Sequence, residues 1–166
     1  MDLQQINNLD LDKAHHLFMQ CCTSERWVEK MVAGRPYIDA NSLRQTADRH
    51  WDQMAEDDYL QAFEGHPKIG DITSLKAKYA NTKELASDEQ AGIKQAYDQL
   101  MIDLAEDNRA YEEKYGFIFI VCATGKSAEE MLNLLRVRLK NTRHRELEIA
   151  SEEQRKIFHL RLEKLL

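Results

Sequence analysis

Glycine and proline, the residues that break helices and build tight turns, number only 6 and 2 in a chain of 166. So little punctuation disfavours an all-β fold of many short strands and leaves long stretches free to be helical. The apolar spacing agrees. Asp10 can cap a helix with Leu11, Ala14, Phe18 and Cys21 or Cys22 on one side. Ser24 starts a second with Trp27, Val28, Met31 and Val32, stopped by Gly34 and Pro36. Ser42 opens a third carrying Leu43, Ala47, Trp51 and Met54, and a shorter piece from Tyr59 to Phe63 ends at Gly65. His66 to Thr73 reads as a loop and Ser74 to Tyr79 as a short helix. Ser87 and Gln90 make a capping box ahead of a long amphipathic helix through Ile93, Tyr97, Leu100, Leu104 and Tyr111 to Gly116. Ser127 and Glu130 make another before Met131, Leu134, Leu135 and Leu139. A last helix, from Arg145 to Leu165, carries Leu147, Ala150, Ile157, Leu160 and Leu165. Phe117 to Ala123 is β-prone, but length does not separate a buried strand from a buried helical segment, and one strand has no sheet to join. With no repeat or linker in view, the expectation is an all-α fold in which residues 1–166 form a single domain.

Charge narrows the partners. A net charge of −6 disfavours a sequence-independent grip on nucleic acid, which needs a basic face. The basic residues Arg136, Arg138, Lys140, Arg143 and Arg145 read instead as a solvated helix face or a subunit contact. Cys21, Cys22 and Cys122 are a poor disulfide framework, pointing to a reducing compartment. Met1 to Leu11 has neither a basic nor an apolar leader region, and the last residues, Glu-Lys-Leu-Leu, lack the Ser-Lys-Leu address. The longest apolar run, Phe117–Ala123, is far short of the ~20 residues that span a bilayer. A cytoplasmic protein without membrane attachment is expected.

Several chemistries lack their residues. Thr124-Gly125-Lys126-Ser127 looks like the end of a P-loop, but Ile120 stands where that loop needs its first glycine, so nothing cradles a phosphate. The histidines form no His-Glu-x-x-His, and no Cys-x-x-Cys exists, so no metal is expected. No Gly-x-Ser-x-Gly elbow is present, and Cys122 in an apolar run reads as an inert core thiol. Two segments carry more. In Gly65-His66-Pro67, the proline holds His66 in an extended backbone on a loop, where an imidazole can act as acid or base near neutral pH. In Ser87-Asp88-Glu89-Gln90, Glu89 suits the first turn of a helix, whose free N–H groups also suit an anionic ligand.

Taken in order, these segments and others resemble the 2-oxo-4-hydroxy-4-carboxy-5-ureidoimidazoline (OHCU) decarboxylases of urate degradation. The matching pieces are His66-Pro67-x-Ile69-Gly70, Glu89-Gln90-x-Gly92, Tyr111-x-x-Lys-Tyr-Gly-Phe117-Ile-Phe-Ile-Val-Cys-Ala123 and Lys156-Ile-x-x-Leu-Arg161-Leu. Arg35-Pro36-Tyr37 agrees in the N-terminal third. The resemblance implies an all-α enzyme, usually a homodimer, that needs no metal or organic cofactor and converts the ureidoimidazoline to (S)-allantoin and carbon dioxide. By it, His66 corresponds to the catalytic histidine and Glu89 to its partner carboxylate. Ala86, Ser87, Asp88, Glu89 and Gln90 correspond to one substrate-binding stretch, and Phe119, Ile120, Val121, Cys122 and Ala123 to a second. Pro67 and Arg161 fall at substrate-contacting positions. Ala86 departs from the serine common in the family, with Ser87 beside it, and Thr124 departs from a common arginine. The implied chemistry gives proton transfer to His66 and the ring hydroxyl to Glu89. Backbone N–H groups of Phe119 to Ala123 would bind ring carbonyls. The rival expectation is a helical interaction module without catalysis.

Overall fold

The structure, a computed structural model, describes residues 1–67, 72–79 and 90–166, of which 90–94 by backbone alone. Every regular element among them is a helix, in the order α1 Leu3–Asn8, α2 Leu11–Cys21, α3 Glu25–Ala33, α4 Ala40–Trp51, α5 Glu56–Glu64, α6 Ile72–Tyr79, α7 Gln90–Tyr115, α8 Ala128–Arg138 and α9 Arg143–Glu163. The all-α expectation holds. Residues 117–123 form no strand; they run as an irregular stretch from α7 toward α8. The chain divides into two compact units, one of Met1–His66, Ile120–Cys122 and Leu147–Leu166, the other of Pro67–Phe119 and Ala123–Glu146.

In the first unit, the aromatic residues make the centre. Phe158 sits 5.0 Å from Trp27 and 5.5 Å from Trp51 by ring centroids, all three buried. Burying an indole strands a donor unless it finds an acceptor. Trp27 Nε1 donates to Ala47 O at 3.0 Å, and Trp51 Nε1 to Ser151 O at 3.1 Å. α1 escaped the sequence reading. Asp2 and Gln5 form a capping box at its start. At its far end Arg35 donates to Ile6 O and Leu9 O, while Asn7 trades two hydrogen bonds with the Tyr37 backbone. Arg35-Pro36-Tyr37 therefore serves as a clamp on the α1 terminus.

Three helices begin two or three residues earlier than expected, α5 at Glu56, α6 at Ile72 and α9 at Arg143, and two expected caps differ. Ser24 caps α3 in position only: its side chain makes no cap bond, and Gln61 Oε1 takes the Glu25 N–H at 2.8 Å instead. α4 begins at Asp39, whose carboxylate accepts from Ser42 N at 2.6 Å, so Ser42 is the reciprocating third residue of the box rather than its cap. The expected caps at Asp10 and Ser127 are in place.

α9 shows why apolar spacing alone misplaced its buried face. Its buried residues are Glu146, Ala150, Ser151, Gln154, Phe158 and Leu162, whereas Leu160 is exposed. The stripe recurs every four residues and includes two polar side chains, Glu146 with several partners and Gln154 with one, on His66.

In the second unit, Glu146 is fully buried. Arg138 Nε reaches its Oε2 at 2.9 Å, Asn141 Nδ2 reaches Oε1 at 2.8 Å, and the Tyr111 hydroxyl donates to it as well. Arg138 was expected on a solvated face or in a subunit contact; it is buried, because α8 aims it at this carboxylate. Arg136 does face outward, paired with Asp103 and Asp107 of α7. α7 ends on Gly116, whose φ of +79° is a left-handed turn that only glycine adopts cheaply.

Candidate functional site

His66 stands one residue past the Gly65 cap of α5, with its backbone N–H on Phe63 O at 3.1 Å. The turn is braced from outside. Thr23 Oγ1 donates toward Gln61 O at 3.1 Å and Ala62 O at 3.2 Å, carbonyls at the end of α5. Gly65 lies against the same threonine, so close that a Cβ placed there would sit 2.1 Å from Thr23 Oγ1. The φ of Gly65, −72°, suits any residue, so space and not backbone freedom demands glycine. Gly65→Ala is expected to cost about 1–3 kcal/mol of stability through this overpacking. Urea unfolding checks it; an unchanged midpoint would mean the Thr23 contact yields freely.

The His66 ring is half-buried, and its Nε2 lies 2.5 Å from Gln154 Oε1 of α9. Burial pushes the imidazole below its ordinary value of 6.5; the nearby Arg161 guanidinium pushes the same way, and the Gln154 hydrogen bond opposes both. The ring is thus neutral at neutral pH. Arg161 is seven residues beyond Gln154, nearly two full turns, so both project from one face of α9. Arg161 Nη1 donates to Cys21 O at 3.0 Å, which satisfies a terminal carbonyl of α2. Among the described residues Arg161 has no carboxylate partner, leaving a half-buried cation uncompensated. Cys21 and Cys22 lie beside it, and burial pushes both thiols up to about 12. They are poor nucleophiles at neutral pH.

Glu153, next to Gln154, binds the other expected stretch. Its carboxylate accepts the Cys122 backbone N–H at 2.7 Å and pairs with Lys156. The Cys122 N–H is thus committed to the Glu153 side chain in this structure. Of the remaining residues in that stretch, Ile120 is buried, while Phe119, Val121 and Ala123 are half-buried. Phe119, in the second unit, carries the Arg138 guanidinium 4.6 Å above its ring and Tyr111 at 5.3 Å.

The first unit therefore holds His66, Arg161 and Ile120, Val121 and Cys122, tied to α9. Pro67 is exposed, directly after His66. Ala86, Ser87, Asp88 and Glu89 lie outside the described residues, and Gln90 is described only as the backbone start of α7. Sequence reading missed Gln154 and Glu153. The available signal was a polar residue falling on the four-residue stripe of α9, just before the matched Lys156 motif. Among the described residues no three His, Cys, Asp or Glu side chains gather as a metal site would.

Residues 7–163 match the family described as OHCU decarboxylase. The chain is similar to the uric acid degradation bifunctional protein TTL of Arabidopsis thaliana, 34% identical over 145 residues, covering 87% of this chain and 45% of that one. It is also similar to the 2-oxo-4-hydroxy-4-carboxy-5-ureidoimidazoline decarboxylase of Amia calva, 26% identical over 173 residues, covering 100% of this chain and 95% of that one. A crystal structure of OHCU decarboxylase in the presence of (S)-allantoin superimposes with a TM-score of 0.71 at 34% identity, covering 89% of this chain and 95% of that chain. The chain spans less than half the length of the bifunctional curated relatives it matches, 45% and 32%.

Proposed function

This chain belongs to the OHCU decarboxylase family, and on that footing we propose that it decarboxylates 2-oxo-4-hydroxy-4-carboxy-5-ureidoimidazoline to (S)-allantoin and carbon dioxide in urate catabolism. In that reaction the bond from a ring carbon to its carboxylate breaks. The electron pair delocalises into the adjacent ring C=N bond and carbon dioxide leaves an enol; its hydroxyl gives up a proton as that carbon becomes the product's carbonyl, and a proton delivered to one face of the neighbouring ureido-bearing carbon sets the product's hand. The substrate supplies its own electron sink, so neither metal nor organic cofactor is required. The protein's share is to orient the carboxylate, stabilise the enol and deliver one proton.

Catalysis falls to His66, with Glu89 as its partner carboxylate. Pro67, Ala86, Ser87, Asp88, Gln90, the Phe119–Ala123 stretch and Arg161 bind the substrate, and residues 1–166 act as one decarboxylase domain. The observation that carries this reading is the pairing of a neutral His66 ring, fixed on a buried amide, with the uncompensated Arg161 cation acting on it. A cation so placed suits an anionic substrate. The enzyme works as a homodimer in the cytoplasm; no helix among the described residues is long and apolar enough to cross a membrane.

The experiment uses freshly generated substrate and follows the optical activity of the allantoin formed. Faster turnover than the spontaneous decay, with (S)-allantoin accumulating, is expected. A spontaneous rate with racemic product would favour the interaction module instead.

A further inference from the structure

Gln154 is fully buried, and its side chain is spent on one contact, Oε1 on His66 Nε2. Its amide nitrogen has no hydrogen-bond partner among the described residues, although the Cys22 thiol lies close enough to interact with it. A buried carboxamide left half-satisfied costs stability, and that cost calls for an explanation in what its satisfied end does. We infer that Gln154 is a positioning residue: its carboxamide oxygen holds His66 as the Nε2–H tautomer, which leaves the lone pair on Nδ1 as the one available for proton transfer. This rests on the reading of His66 as the catalytic histidine.

A neutral imidazole has one N–H, and the group facing each nitrogen decides where it sits. A carboxamide oxygen only accepts, so a ring nitrogen bonded to it must carry hydrogen. The reverse orientation of the amide would present NH₂ to Nε2 and force the proton onto Nδ1. Proton transfer separates the two. When His66 takes a proton it becomes an imidazolium with N–H at both positions, and Nε2 then needs an acceptor. The oxygen of Gln154 serves the neutral and the charged ring alike, while an NH₂ would oppose N–H to N–H. Only the first orientation lets the ring pass through its charged form without turning.

The charged surroundings define the pH behaviour. Arg161, from the same helix, is the charged group among the described residues that acts on the ring. The Cys21 and Cys22 thiols stay protonated, and Glu64 on the ring's own helix is exposed. Glu89 lies outside the described residues. The Gln154 bond is therefore the contribution that favours the imidazolium, opposing burial and Arg161. Gln154→Met removes it, and Gln154→Glu replaces it with a charge.

The test is ¹⁵N NMR of the full chain labelled at histidine, with His66 assigned by its loss in His66→Ala, alongside pH profiles of kcat. Wild-type His66 above its pKa should show the Nε2–H pattern, a readout that does not depend on any Gln154 variant folding. Gln154→Met should mix the tautomers, lower kcat by at least ~10-fold with KM little changed, and move the acid limb to lower pH. Gln154→Glu should keep the Nε2–H pattern and move the limb to higher pH. A wild-type ring protonated at Nδ1, or limbs that move the same way in both variants, overturns the inference. Normal turnover by His66→Ala together with the expected tautomer shift would instead overturn the catalytic reading and leave the positioning intact.

Discussion

Replacing His66 by alanine is expected to lower turnover about 10²- to 10⁴-fold, the usual cost of losing one acid–base group. The ring is half-buried at the end of α5, and its side-chain hydrogen bond is the one to Gln154, so the variant should keep its circular dichroism while losing about 1–3 kcal/mol of stability for the buried Gln154 oxygen left without its partner. Loss of fold along with activity would point to a structural histidine, and unchanged turnover would remove His66 from the reaction. The pH dependence carries the same signature. Because burial holds the ring below 6.5 in the folded protein, the neutral form persists below the value of a free histidine. The acid limb of kcat/KM is expected below pH 6.5 and should vanish in His66→Ala. The sign for stability follows: below pH 6.5 the unfolded chain binds the proton more readily, so this residue's contribution is present above that pH and is lost as pH falls.

The second large effect is structural. Glu146→Ala would leave the Arg138 guanidinium buried with its carboxylate gone, and would strip an acceptor from Tyr111 and Asn141. Breaking a buried pair on one side costs about 3–5 kcal/mol, since the remaining charge cannot reach water. Burial pushes the Tyr111 hydroxyl well above the ordinary tyrosine range, so it stays a donor and cannot offset the positive charge. Removing both charges with volume kept, as Glu146→Leu with Arg138→Met, should recover most of the loss. Denaturant unfolding of the three proteins checks this; a single variant as stable as wild type would mean Arg138 escapes to solvent. Because Arg138 also lies over Phe119, the same single variant tests whether this network holds the Phe119 ring in place.

What could be read in advance depended on the kind of residue involved. Helices ended by glycine or begun by an acid, such as α2 from Asp10 and α7 up to Gly116, obey local rules and were legible. α1 is six residues held by Arg35 and Tyr37 from a distance, and no local apolar pattern announces it. The 117–123 run has strand propensity but no partner strand among the described residues, and tertiary context overrode propensity. His66 was found by motif and by loop context. Gln154 and Glu146 were not, because a buried polar side chain is recognisable only by its partners: His66 lies 88 residues from Gln154, and Glu146 bonds Arg138 across a helix junction and Tyr111 35 residues away.

A crystal structure of the chain with (S)-allantoin tests the central claim most directly. The ligand is expected within hydrogen-bond distance of the His66 ring and the Arg161 guanidinium, with the Cys122 N–H still on Glu153. A ligand bound away from His66, in crystals soaked to saturation, would contradict the assignment of this histidine as the centre of the reaction.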